Sequence, residues 1–202
     1  MELGHKSCQP LESVSWFYCR GIEEELSVWR DMVWRSLNAS PCLPEMSTDS
    51  PHYSKVEPRD LSIGVVCASF NPSLCEALLS RVLDCLEENG KLQNLIVERV
   101  PGSNEIPSAV DLILDSSSLD SIIGLGVVIK GSTSHHQLVA ELSGHALQNL
   151  SLQYHTPVIN GIVVTDNVQA AEERITGPLD RGSEFARAAI EMAALKKKWT
   201  RI

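Results

Sequence analysis

The chain has 202 residues, 43% of them hydrophobic and 21% charged, with a net charge of −9 from 26 acids against 17 bases. That is the composition of a soluble globular domain and excludes a collagen-like or wholly disordered chain. No apolar run approaches the ~18 residues of a membrane span, and the acidic balance argues against nucleic acid or an anionic membrane as partner.

Residues 1–60 and 61–202 differ in character. The first zone holds Trp16, Trp29 and Trp34, and the prolines Pro10, Pro41, Pro44, Pro51 and Pro58. Met1 to Pro10 has no apolar signal-peptide core. This predicts a cytoplasmic protein with reduced thiols. Ile22, Leu26, Trp29, Val33 and Leu37 lie on one face of an expected amphipathic helix. That helix either docks on a partner or another copy, or packs on its own domain. Residues 38–60 are rich in Ser, Pro and charge and read as a linker. Met46 is a plausible alternative start. The cysteines Cys8, Cys19, Cys42, Cys67, Cys75 and Cys85 contain no CxxC pair. No metal is expected, and Cys67, Cys75 and Cys85 read as small buried hydrophobes.

From Leu61 the pattern becomes regular. Residues 61–68 (LSIGVVCA) form a short β-branched apolar run, expected as a buried strand. Pro72 opens a helix whose stripe is Leu74, Ala77, Leu78, Val82, Cys85 and Leu86, closed by Asn89 and Gly90. A strand over 95–100 follows, then a helix over 105–116 with Ile106, Val110, Ile113 and Leu114 inward. The third strand is 121–130 and the third helix 135–152. The fourth strand is 157–165, followed by short and long helices over 168–174 and 183–197. Alternation of this kind predicts an α/β fold, a three-layer sandwich with a four-stranded, mainly parallel sheet. Near-continuous apolar strands predict that both sheet faces are covered.

In such a sheet the ligand site lies beyond the carboxyl ends of the strands. There the chain places Phe70 and Asn71, then Gly102 to Glu105, then Lys130 to His135. Gly131 allows a tight turn, and Ser132, Thr133 and Ser134 open a helix whose free N–H groups suit a phosphate. Plain helix capping would use the same residues. His135 at that helix start adds a group suited to proton transfer. His136 is expected to point elsewhere on the helix.

The chain resembles the 6,7-dimethyl-8-ribityllumazine synthase family. The matching motifs are 69–71 (SFN), 100–107 (VPGSNEIP), 126–135 (GVVIKGSTSH), 157–161 (PVING), 173–174 (ER), 181–182 (RG) and 188–193 (AAIEMA). The resemblance covers residues 61–198 and implies a flavodoxin-like fold, with residues 1–60 a non-homologous extension. It implies a transferase of riboflavin biosynthesis that joins 5-amino-6-ribitylaminouracil to 3,4-dihydroxy-2-butanone 4-phosphate. No cofactor or metal is implied. The assembly implied is a homo-oligomer, a pentamer or a 60-subunit shell, with sites between neighbours.

Carried over by position, His135 is the proton-transferring histidine and Arg174 the phosphate-gripping arginine. Ser132 and Thr133 share the phosphate, within the motif that also carries Lys130 and Gly131. Phe70 stacks on the heterocycle. Asn71, Gly102, Ser103, Asn104 and Glu105 bind the ribityl chain and ring. Arg181 stands where a lysine is usual. The family usually has an aromatic at Asn104, Phe or Tyr at His136, an acid at Gln137, and an aromatic at Asn160 that contributes across the subunit boundary. This more polar lining leaves two further readings, another amine–carbonyl condensation or an oligomeric scaffold with little activity.

Overall fold

The computed structural model describes Val56 and residues 58–200. The expected helix over residues 22–37 and the linker up to residue 55 lie outside the described residues. Four strands form one sheet: β1 (Ser62–Ala68), β2 (Asn94–Val100), β3 (Ser121–Ile129) and β4 (Val158–Thr165). Their order is β2-β1-β3-β4 and every pairing is parallel. Five helices connect them: α1 (Pro72–Glu88), α2 (Ile106–Ser116), α3 (His135–Gln153), α4 (Val168–Ile175) and α5 (Arg181–Thr200). A 3-10 turn, Ser103–Glu105, leads into α2. Helix α1 packs on α5, and α2 packs on α3.

The central strands behave as their composition dictates. All of β3 from Ser121 to Val127 is buried, and so is β1 from Ile63 to Ala68. Branched side chains there fill both faces of the sheet. Cys67, Cys75 and Cys85 are free and buried, as small hydrophobes. Burial pushes the Cys85 thiol up from its ordinary pKa.

The edge strand β2 departs from the expectation of covered faces. Only Val100 is buried, and Leu95 and Val97 are exposed. Helix α3 is similar: only Ser143 and Leu147 are buried, and Leu138, Leu142 and Leu152 are exposed. The reason is position. β2 pairs on one side alone, and the apolar residues of α3 extend round more of the helix than one sheet can cover.

Helix α5 begins at Arg181, two residues before the expected start. Asp180 provides the start signal. Its carboxylate accepts from Ser183 N at 3.4 Å and from Ser183 Oγ at 2.6 Å. The same carboxylate accepts from Arg81 Nε at 3.0 Å on α1. The guanidinium holds the Asp180 carboxyl below its ordinary pKa, helped by the Ser183 bonds.

A folded-state pKa below the unfolded value stabilises the fold above the unfolded carboxylate pKa, and that stability is lost as pH falls through the folded value. Asp180→Asn keeps a capping oxygen and tolerates the positive φ of 39° at this position. The variant is expected to unfold about 1 kcal/mol more easily near neutral pH, the scale of a partly exposed ion pair. The gap should close in acid. Urea denaturation of both proteins across that range checks the sign.

Candidate active site

The ends of β1, β2 and β3 converge on one cavity. Ser69 N donates to Val100 O at 2.8 Å, and Phe70 N to Pro101 O at 3.0 Å. These bonds tie the two strand exits together. Asn71 sits in the left-handed region at φ 57°, which asparagine tolerates, and opens α1. Its Nδ2 donates to Val127 O on β3 at 2.9 Å. Cys75 Sγ donates to Phe70 O at 3.1 Å from the first turn of α1. The backbone of this loop is therefore fixed while the Phe70 ring is 71% exposed. A core role for Phe70 is excluded.

After β2, Gly102 is extended and the 3-10 turn begins, with Glu105 N donating to Gly102 O at 3.2 Å. Ser103 is buried against β3, and Ser143 Oγ of α3 donates to Ser103 O at 3.1 Å. A Cβ on Gly126 would stand 2.3 Å from Ser103 Oγ, and one on Gly124 would stand 2.7 Å from Ile106 Cγ2. Only glycine lets the turn sit this low on the sheet.

After β3, Lys130 N donates to Thr165 O at 2.9 Å, and its ammonium stands 3.4 Å from Asp166 Oδ1. The chain then turns through Gly131 into α3. Ser134 precedes the helix and makes no side-chain capping bond. The helix bonds begin with Gln137 N to Ser134 O at 3.0 Å. The mouth of α3 thus keeps N–H groups for a ligand.

The cavity is about 530 Å³. It brings together Phe70, Asn71, Gly102, Ser103, Asn104, Glu105, Gly131, Thr133 and His135. His136 also lines it, contrary to the expectation that it points elsewhere. Its Nδ1 lies 3.0 Å from Thr133 O, which turns the ring back toward the preceding loop. Sequence reasoning missed the apolar part of the lining: Val127, Val128, Ile129, Leu138, Val139 and Leu142. The signal was available, since positions 135, 138, 139 and 142 share one helical face.

Other expected site residues stand outside this cavity. Ser132 is exposed in the same turn, and Lys130 leans to Asp166. Asn160 lies on β4, exposed, its Oδ1 accepting from Ile162 N at 3.1 Å. Arg174 donates to Ala170 O at 3.1 Å within α4, and Arg181 pairs with Glu184 at 2.5 Å. Among the described residues, no group of three or more His, Cys, Asp or Glu could hold a metal ion.

The family model for 6,7-dimethyl-8-ribityllumazine synthase matches residues 60–197. A protein of that name from Polaromonas sp. is 39% identical over 145 residues, covering 70% of this chain and 90% of the relative. One from Prochlorococcus marinus is 37% identical over 143 residues, with 68% and 90% covered. One from Thermococcus gammatolerans is 37% identical over 140 residues, with 69% and 90% covered.

The floor of the cavity yields a direct test. Gly126→Ala forces Ser103 to shift, by turning its hydroxyl away and easing its Cβ back from β3. We expect a loss of about 1–3 kcal/mol in unfolding free energy, the usual cost of overpacking. A control, Gly131→Ala, meets nothing within 4 Å and should leave stability unchanged. Thermal and urea melts of the two variants distinguish them.

Proposed function

We infer the chemistry of this cavity from one premise: the chain belongs to the 6,7-dimethyl-8-ribityllumazine synthase family. Its activity is that of a lumazine synthase, a transferase of riboflavin biosynthesis. The reaction joins 5-amino-6-ribitylaminouracil to 3,4-dihydroxy-2-butanone 4-phosphate. An amine of the pyrimidine attacks the ketone, and loss of water leaves a Schiff base. Phosphate then departs, and the second amine closes the ring with loss of another water.

We propose that the cavity beyond β1, β2 and β3 performs this reaction, with its residues in the following roles. The observation that carries this is the meeting of an exposed Phe70 ring, the Gly102–Glu105 turn and His135 in one cavity. Phe70 stacks on the flat pyrimidine. Asn104 and Glu105 bind the ring and ribityl chain, and Gly102 lets the backbone approach. Asn71 and Ser103 act mainly by fixing the two loops, since the Asn71 amide and the Ser103 carbonyl are already bonded. The phosphate rests at the mouth of α3, on Gly131, Ser132 and Thr133. His135 moves protons between the amine, the carbonyl oxygen and the departing groups. Holding both substrates together removes much of the entropic cost of the bimolecular step.

One chain supplies only part of this arrangement. Arg174, Arg181, Lys130 and Asn160 do not line the cavity of their own chain. We propose that a second copy supplies Arg174, Arg181 and Asn160 to each cavity in a homo-oligomer, a pentamer or a shell of pentamers. Support comes from apolar side chains left exposed on β2 and α3: Leu95, Val97, Leu138, Leu142 and Leu152. Arg174 would then grip the phosphate through paired charge-assisted bonds. Lys130, on the cavity's own chain, adds positive charge near the turn. The proposed location is cytoplasmic. No helix among the described residues is long and apolar enough to cross a membrane.

Purified protein supplied with both substrates should generate lumazine absorbance. His135→Ala should slow turnover about a hundredfold or more, the usual contribution of a positioned acid–base group. A folded oligomer that forms no product would overturn the assignment of the reaction to this protein.

Sharing of the site has its own test. His135→Ala and Arg174→Ala subunits, each crippled alone, should regain activity when unfolded together and reassembled. Mixed oligomers then contain some cavities with both wild-type residues. No recovery in verified mixed oligomers would place both residues in one chain's site. Phe70→Ala should weaken binding of the pyrimidine about three- to tenfold, matching a stacking contribution of about 0.5–1.5 kcal/mol. Its melting temperature should not change.

A further inference from the structure

His136 is a polar cavity residue that the proposed reaction leaves without a role. Its Nδ1 lies 3.0 Å from the carbonyl oxygen of Thr133. A carbonyl oxygen only accepts, so Nδ1 carries the hydrogen and donates. The neutral ring then has its hydrogen on Nδ1, and a protonated ring would donate there as well. The bond therefore survives in either charge state of the ring.

The carbonyl it holds is a special one. The bonds recorded at the mouth of α3 begin one residue later, where Gln137 N and Leu138 N both donate to Ser134 O. Ser134 supplies no side-chain cap. The His136 ring thus reaches back one turn and anchors the residue before the helix. A peptide unit is planar, with its C=O and N–H pointing opposite ways. Fixing the Thr133 carbonyl therefore fixes the direction of the Ser134 N–H, one of the donors at the helix mouth. It also sets the orientation of Thr133, which lines the cavity.

We propose that His136 is a positioning residue for the anion-binding turn 131–134, acting through its Nδ1–H bond to the Thr133 carbonyl. The proposal rests on the reading of that turn as the phosphate site. It gives His136 a duty distinct from the proton transfer of His135. A phenyl or phenol ring at this position has no donor at the Nδ1 place. The imidazole is therefore an alternative way of ordering the turn and not a neutral replacement.

The two ring nitrogens can be imitated separately. The amide nitrogen of asparagine can approach the place of Nδ1, and that of glutamine the place of Nε2. Inorganic phosphate is the probe, titrated into the assembled wild-type, His136→Ala, His136→Gln and His136→Asn proteins by calorimetry. Alanine and glutamine should weaken phosphate binding about three- to tenfold, the scale of one lost hydrogen bond. Asparagine should recover most of that loss. With substrates, KM for the butanone phosphate should rise by the same factor while kcat stays within about twofold.

Equal phosphate affinity in the glutamine and asparagine variants would overturn the proposal. So would wild-type affinity in all three variants, or no phosphate binding by the wild type. Failure of the lumazine reading looks different. There the wild type forms no lumazine, yet the phosphate series still separates asparagine from glutamine and alanine. If lumazine forms and the phosphate series is flat, the positioning role alone is lost.

Discussion

The cavity depends on two absent methyl groups. Gly124 and Gly126 on β3 leave room for Ile106 and Ser103, which would otherwise collide with a Cβ at 2.7 and 2.3 Å. Interiors are packed so closely that such an overlap cannot be absorbed locally. Because the turn sits low, its Ser103 carbonyl comes within reach of the Ser143 hydroxyl on α3. β3, the turn before α2 and the body of α3 are thereby locked to one another. The mouth of α3, with His135, is held by the same helix. The depth of the cavity and the placing of its histidine follow from these two packing contacts.

A net charge of −9 looks unfavourable for a phosphate-bearing substrate. The structure resolves this by locality. Screening confines charge effects to about 8–10 Å at physiological ionic strength, so the mouth of a helix outweighs distant acids. At that mouth the backbone supplies donors, and no carboxylate appears in the first turn of α3. Glu105 also lines the cavity, and its carboxylate suits hydroxyls and ring N–H groups instead. The lining thus offers chemically distinct groups, backbone donors suited to an anion and a carboxylate suited to a polar ring and chain.

Much of this was legible in the chain. The apolar runs of β1 and β3 and the stripe of α1 fixed their elements to within a residue or two, because the two strands are buried on both faces and the buried side of α1 follows the helical period. Their positions just after successive strands put Phe70, the Gly102–Glu105 turn and His135 at one sheet edge in the sequence alone. Other features were not legible. The exposure of β2 depends on which strand ends up at the edge, a tertiary property that its apolar sequence does not encode. The start of α5 turned on Asp180, whose capping bonds need Arg81 from a distant helix to hold it. The direction of His136 hinged on a single back-bond to Thr133, which a helical-wheel projection does not contain.

The polar substitutions in the lining raise a real question about the substrate, and the geometry answers part of it. Asn104 and His136 stand where a flat ring would usually meet aromatic surface, which suggests weaker stacking. Yet the cavity retains an apolar floor in Val127, Val128 and Ile129, and an apolar wall in Leu138, Val139 and Leu142. Burying a flat ring against branched aliphatic groups recovers about 25 cal/mol per Å² of apolar area removed from water. Phe70 lines the same cavity from a loop whose backbone is fixed by bonds to Pro101, Cys75 and, through Asn71, β3. In the role proposed for Phe70, the ring would lie between one aromatic face and these aliphatic side chains. Asn104 and His136 add polar groups to the same lining. A mainly apolar lining with a few polar groups suits a flat, donor-rich heterocycle, so the altered lining is compatible with the pyrimidine diamine.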